Sequence, residues 1–342
     1  MTCKIRFMRS ETRCAVFVGC VLGLSACVAD ESLSSNSQSV TTLNRLASNR
    51  LASNRLASNR LASNQLALND NGGAELMSTD DGRNVLSYIV GCAIDAGDSI
   101  IAFHRPAGGC SADADCGTLT TGSCQPNGSC KYTFPGNLDL APQWVDHNLD
   151  EAGQGWISAC MFARVNAHDT AEEISLHGEH PALTVGIDEG LLYRIEEGAF
   201  YGNMFLSSDR HLELRDFAHV CRGEGQASGE FGGLVDRDCA EPDPSNPAIS
   251  QCGFSYEGDC ADYTPLYPSA FACDERESGD PCEDSHGSHG DDDRDGHHRH
   301  RHECSPTADH GFYYEGCHVA AGPRRSWGHR GFQQVITTFV TP

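Results

Sequence analysis

Apolar residues enter this chain in three rhythms. The first is an unbroken run from Cys14 to Leu24, preceded by Lys4, Arg6, Arg9 and Arg13. The second is a leucine at every fifth position, from Leu46 to Leu66. The third begins near Ser78 and carries ordinary secondary-structure periods. Val85, Leu86, Ile89, Val90 and Ala93 recur at helical spacing behind Asp80 and Asp81. Carboxylates in a first turn complement the helix dipole, so this pattern predicts a helix over 82–93. Trp156, Ile157, Cys160, Met161 and Arg164 predict a second over 154–166. Ser99 to Phe103 reads as a strand, and Glu173 to His177 alternates like a half-buried one. Tyr193–Phe205 and Gln334–Val340 complete a sheet. The expected class is α+β: one disulfide-rich globular domain over 78–342, with a small sheet and two core helices, after a signal peptide and a repeat stalk.

The first rhythm is an address. Basic residues followed by a short apolar run form the layout of a secretory signal. Eleven apolar residues are too few for a spanning helix, which takes about 20. The run ends in Leu24-Ser25-Ala26-Cys27, which resembles a bacterial lipobox. The resemblance implies removal of residues 1–26 and lipidation of Cys27 by a diacylglyceryl group and an N-acyl chain of the palmitate kind. More than one chain is what stable anchoring takes. Val28, rather than aspartate, follows Cys27, which by resemblance to Gram-negative lipoprotein sorting implies the outer membrane. Plain secretion is the alternative.

The second rhythm fits neither common element. Arg45-Leu46-Ala47-Ser48-Asn49 recurs from Arg50, Arg55 and Arg60 and decays into Gln65-Leu66-Ala67-Leu68-Asn69. Five residues turn a helix by about 140° past its last leucine, spreading the leucines around the axis. On a strand an odd period moves Leu from face to face. A square solenoid would gather them, and the repeat partly resembles pentapeptide-repeat proteins. Five copies make scarcely one coil, however. The reading adopted is a low-complexity tether over 27–77.

The chain has 18 cysteines. Cys3, Cys14 and Cys20 leave with the signal, and Cys27 takes lipid. Cys92, Cys110, Cys116, Cys124, Cys130, Cys160, Cys221, Cys239, Cys252, Cys260, Cys273, Cys282, Cys304 and Cys317 remain. That number is even, as disulfide closure in an oxidising space requires. No CxxC pair has zinc-ribbon spacing. Cys92 and Cys160 fall on the inward faces of the two helices, so they are the first expected bridge; Cys282–Cys304 is the second.

Net charge is −24, and removing residues 1–26, which carry four basic residues and Glu11, makes it −27. Such acidity excludes nucleic acid as a partner, since phosphate binding needs clustered Lys and Arg. The partners this leaves are the membrane, through the lipid, and an envelope or extracellular protein or glycan.

Two segments carry candidate chemistry. Cys110-x5-Cys116-x7-Cys124-x5-Cys130, with Asp113, Asp115 and Gly128, forms a compact insert over 110–130. It resembles small four-cysteine modules of secreted bacterial proteins, and its three possible pairings stay open. It reads as a disulfide-knotted hairpin, or as a recognition loop with a calcium contact through Asp113 and Asp115. The other segment, 283–303, holds His286, His289, Asp291, Asp292, Asp293, Asp295, His297, His298, His300 and His302. Imidazoles suit Zn²⁺, Cu²⁺ or Ni²⁺ and carboxylates suit Ca²⁺. Asp291-x-Asp293-x-Asp295-Gly296 matches the start of an EF-hand loop, but His302 stands where the bidentate glutamate belongs.

Enzyme signatures are missing: no GxSxG, HExxH, Walker loop or GxGxxG after a strand. No catalytic residue is assigned. His177-Gly178-Glu179-His180 invites a metal reading but falls in an expected turn. Tyr88-Ile89-Val90-Gly91-Cys92-Ala93, Tyr132 to Leu138, Trp156-Ile157-Ser158-Ala159-Cys160 and Glu197 to Asn203 together resemble a group of cysteine-rich bacterial lipoproteins with Asn/Leu-rich N-terminal repeats. The resemblance implies a shared core over 82–340 and brings no activity with it. The functional expectation is binding or structural display at the cell surface. Metal binding or buffering by 283–303 is the alternative, and a secreted hydrolase comes last.

Overall fold

The computed structural model describes residues 6–7, 46–62, 66, 72–168, 172–183, 189, 192–205, 212–223, 237–260, 302–306, 314–319 and 330–341. Arg6–Phe7 (β1) pairs antiparallel with Ile101 and Ile100. β1 belongs to the segment expected to leave with the signal.

The repeat departs from its expected role. Ser48–Ala62 is a helix, α1, and it packs into the domain rather than standing off it as a tether. Its leucines do not form one stripe. The buried face runs through Leu51, Arg55, Ser58 and Ala62, at spacings of four, three and four, so a different position of the repeat serves each turn. Ala57 and Leu61 widen this face. Ser58 donates its hydroxyl to Asn54 O at 3.1 Å, and the Arg55 guanidinium lies 5.3 Å from the Phe217 ring centroid. Beyond the helix ends, Leu46 and Leu66 are buried as well. Leu66 N donates to Trp144 O at 2.9 Å, and Asn166 N donates to Leu46 O at 3.2 Å. The folded domain therefore reaches back to residue 46.

Gly72–Met77 (α2) leads into Asp80–Ala93 (α3), where Thr79 caps the first turn by accepting from Gly82 N at 3.0 Å. Val85, Leu86, Tyr88, Ile89, Val90, Cys92 and Ala93 are buried, the face its periodicity marked. Ser99–His104 (β2), Ser123–Cys124 (β3) and Cys130–Pro135 (β4) are antiparallel, in the order β1-β2-β4-β3.

Glu151–Ala163 (α4) starts at Asp150, whose carboxylate accepts from Gly153 N at 2.7 Å. Every residue from Gly155 to Ala163 is buried. A helix apolar on all sides belongs inside, and α4 is sandwiched between α3 and the main sheet. A Cβ on Gly155 would meet the Gln334 side chain at 2.6 Å, so glycine sets how closely α4 approaches the strand that follows. The Cys92–Cys160 disulfide joins α3 to α4.

The remaining strands are Ile174–His177 (β5), Ile195–Gly202 (β6), Ala218–Arg222 (β7), Pro242–Asp243 (β8), Asn246–Ser250 (β9), Ser255–Asp259 (β10), His302–Pro306 (β11), Tyr314–Val319 (β12), Arg330–Phe332 (β13) and Val335–Val340 (β14). Seven of them form one sheet, ordered β5-β14-β6-β7-β10-β9-β8, with β10 parallel to β7. β11, β12 and β13 form a separate antiparallel sheet. The α+β class and disulfide framework match the expectation; the main sheet is larger than the small one anticipated, and α1 and α2 join the two core helices. No helix among the described residues is long and apolar enough to cross a membrane.

One buried ion pair organises the far side of α4. Arg237 is fully buried, with Nε 3.2 Å from Glu197 Oε1 on β6. Its Nη2 donates to Ala163 O at 2.5 Å and Val165 O at 3.3 Å, placing a cation at the carbonyl end of the helix. Thr338 on β14 donates to Glu197 Oε2 at 2.7 Å. Burial pushes the Arg237 pKa down.

Candidate functional site: the four-cysteine insert

The insert over 110–130 has almost nothing to bury. Apart from cysteine its only apolar side chains are Ala112, Ala114, Leu119 and Pro126, all exposed. Covalent and polar ties hold it instead. Cys110 bonds to Cys124 and Cys116 to Cys130, so the two bridges interleave, each spanning a separation of 14 residues. Of the three pairings open to sequence, this is first-to-third and second-to-fourth.

Its aspartates are spent on the backbone. Asp113 Oδ1 accepts from Cys124 N at 2.7 Å. Asp115 Oδ2 accepts from Ser111 N, Ser111 Oγ and Ala112 N, and these bonds lower its pKa. Two carboxylates in these roles shape the turn that carries Cys116, which favours the knotted-hairpin reading over a calcium contact.

Polar bonds then dock the hairpin on α3. Asp80 Oδ2 accepts from Thr118 N at 2.8 Å, Thr118 Oγ1 at 2.8 Å and Leu119 N at 3.1 Å. Burial pulls the Asp80 pKa upward, but hydrogen bonds from Thr118 and Leu119, with the Arg83 charge, outweigh it and hold the group below its usual value of 3.8. Gly117, at φ 116°, is left-handed, and a Cβ there would lie 2.6 Å from Asp80 Oδ1. The Tyr132 hydroxyl donates to Cys116 O at 2.6 Å, and the Arg83 guanidinium stacks 5.0 Å from the Tyr132 ring centre.

This construction gathers sulfur. Sγ of Cys110, Cys116 and Cys130 all lie within 4.8 Å of one another, and Cys124 Sγ is bonded to Cys110 Sγ. In the disulfide form these atoms carry no thiolate and hold no metal. Linear spacing hid the cluster, because metal patterns are sought as close CxxC pairs, whereas here two crossed links assemble it.

The other expected sites divide as follows. Cys27 lies outside the described residues, as do His286, His289, Asp291, Asp293, Asp295, His297, His298 and His300. Only His302 of that set is described, as the first residue of β11, opposite Val319. The expected Cys92–Cys160 bridge is present. For Cys282–Cys304, Cys282 is outside the described residues, while the β11–β12 register sets Cys304 opposite Cys317. Cys221–Cys260 and Cys239–Cys252 are the other bridges among the described residues.

His177 and His180 are not brought together as ligands. His180 Nδ1 accepts from Ala182 N at 3.2 Å, its ring packs edge-on against Trp156, and burial lowers its pKa. His177 Nε2 lies 2.7 Å from Ser175 Oγ, whose proton goes to Glu189 Oε1 at 2.6 Å. With its one hydrogen given to a carboxylate, Ser175 accepts from His177, the reverse of the transfer a hydrolase needs. All three residues are buried. This network, like Arg237–Glu197, left no trace in sequence spacing beyond the i, i+2 placement of Ser175 and His177.

No protein-family model, curated protein or solved structure matches this chain.

Proposed function

We propose that the protein is a lipid-anchored envelope lipoprotein whose folded domain serves binding or structural display at the cell surface. The observation that carries the reading is complete pairing: all ten cysteines from Cys92 to Cys260 are in disulfides. Bridges of this density belong to oxidising spaces, and the signal and lipobox-like tetrapeptide supply the route to one. A partner would be an envelope or extracellular protein or glycan, met by a domain whose net charge of −27 after processing disfavours polyanions.

Cell fractionation with intact-mass measurement tests the reading. The mature chain is expected in the membrane fraction, beginning at an acylated Cys27, with no thiol open to alkylation. Cys27→Ser should shift it to the soluble fraction with its disulfides intact. Unprocessed cytosolic protein with free thiols would overturn the proposal. The rival assignment, metal buffering by 283–303, is separated by calorimetry on chains with and without 284–302: tight Zn²⁺, Cu²⁺ or Ni²⁺ binding lost on deletion would favour it.

A further inference from the structure

We propose that the insert is a metal site opened by reduction: oxidised it is a pair of cystines, and reduced it offers Cys110, Cys116, Cys124 and Cys130 as four thiolates to one soft divalent ion of the zinc class.

Three observations carry this. The first is proximity. Four thiolates around zinc, at Zn–S bonds of about 2.3 Å, stand roughly 3.8 Å apart. Sγ of Cys110, Cys116 and Cys130 already lie within 4.8 Å of one another, and Cys124 Sγ is next to Cys110 Sγ. Opening each bridge lets its two sulfurs part from bonding distance to the spacing around zinc, and Cys124 Sγ, tied to Cys110 but outside the group of three, swings in as the fourth ligand.

The second is what remains after the disulfides open. The three bonds from Thr118 and Leu119 to Asp80, the Tyr132 hydroxyl on Cys116 O, and the β3–β4 pairing that sets Cys124 opposite Cys130 involve no sulfur. They restrain Cys116, Cys124 and Cys130 without the bridges, so less ordering is left for the metal to impose.

The third is access. Cys110 and Cys124 are half-buried, whereas the other eight cysteines of the five described disulfides are at most 2 % exposed. Among the described disulfides a thiol reductant therefore reaches Cys110–Cys124 first. The Cys110 thiolate so released is within 4.8 Å of both sulfurs of the buried Cys116–Cys130 bridge and can pass the exchange inward. The chemistry balances with a dithiol as reductant. Each disulfide takes two electrons and two protons from one dithiol, which closes to its own disulfide. The four thiols then lose four protons as they bind one divalent ion.

This inference does not rest on the envelope reading; it states which form exists in a reducing and which in an oxidising space. The test uses the full chain. It is treated under native conditions with a water-soluble phosphine, which consumes one water per disulfide and becomes the phosphine oxide. Cd²⁺ is then added as an optical substitute for zinc. The expected result is a thiolate-to-metal charge-transfer band that saturates at one equivalent and survives deletion of 284–302. Zinc loading should protect Cys110, Cys116, Cys124 and Cys130 from alkylation, read by peptide mass. Cys116→Ser with Cys130→Ser should abolish the band. Should that variant not fold, the protection map of the unaltered chain decides alone. No band, a band lost with 284–302, a band of full strength in the double variant, or protection of a different set of cysteines would each overturn the proposal.

Discussion

The insert over 110–130 and helix α4 with its sheet solve the same problem by opposite means. Ordering a residue costs on the order of 1–2 kcal/mol of backbone entropy, which something must offset. In α4, nine consecutive buried residues from Gly155 to Ala163 do it by leaving water. The insert buries only Cys116, Ser129 and Cys130 of its 21 residues and relies on two disulfides and aspartate caps. Burial makes each enclosed polar group costly, and behind α4 Arg237 pairs with Glu197, which accepts from Thr338, while Arg237 Nη1 has no hydrogen-bond partner among the described residues. Covalent closure carries no such cost and leaves its surface free.

The comparison breaks first on the buried side. Arg237→Met should strand Glu197 inside the protein without its cation, at about 3–5 kcal/mol. A fall in the urea unfolding midpoint reads this out. Adding Glu197→Gln should recover part of the loss, because the charge left unpaired is then gone. No recovery would mean that Arg237 acts only through the α4 carbonyls.

Next comes the covalent side. Cys116→Ser with Cys130→Ser removes a bridge worth about 3 kcal/mol for a loop of this size. The loss should stay local: amide exchange rises within 110–130, while α4 amides keep their protection. Uniform loss of protection would erase the distinction between the regions. In β11–β12 the backbone register sets Cys304 opposite Cys317. A non-reducing peptide map is expected to link Cys304 to Cys317, which pairs Cys273 with Cys282 by elimination. A Cys282–Cys304 link would instead bear out the bridge expected from the sequence.

Sequence legibility follows the same division. α3, α4, β2, β5, β6 and β14 fell close to where the sequence put them, although α4 is buried on all sides and β5, expected to be half-buried, is buried at all four positions. The Cys92–Cys160 bridge was legible because helical spacing put both cysteines on inward faces. α1 was not. Its period of five belongs to the repeat and not to a helix, and the buried face samples Leu51, Arg55, Ser58 and Ala62 in turn. What that face rests on is tertiary, the Phe217 ring beneath Arg55, while Ser58 returns its hydroxyl to the Asn54 carbonyl of its own helix. The sulfur cluster and the Arg237–Glu197 pair were illegible for a third reason. Tertiary crossing, with no local spacing to record it, creates them.

Smaller effects sharpen the boundary where the regions meet. Asp80→Asn keeps the shape of the side chain but removes its charge from three hydrogen bonds, at about 1–2 kcal/mol for docking of the insert. The same contact should fail in acid. Because the folded pKa of Asp80 is depressed, its contribution is complete above the ordinary value of 3.8 and is lost as pH falls through the folded one. Thr118 and Leu119 amide exchange, followed against pH, should accelerate over that window and be flat in Asp80→Asn. Equal pH dependence in both would assign the effect to another group.

The smallest effect belongs to the repeat's own arginines. Arg50 pairs with Asp81 at 3.1 Å, Arg60 pairs with Glu75, and Arg55 is buried against Phe217. Identical in sequence context, they differ only in what α1 rests on. Arg60 and Glu75 are both about half exposed, and a pair so hydrated contributes at most ~0.5 kcal/mol. Arg60→Ala should therefore leave the unfolding midpoint within error, whereas Arg55→Ala should lower it by the loss of a packed stem and a stacked cation, about 1–2 kcal/mol. Equal effects for the two substitutions would mean that the repeat acts by composition. A clear difference would mean that a low-complexity segment has been given a tertiary register, one turn at a time.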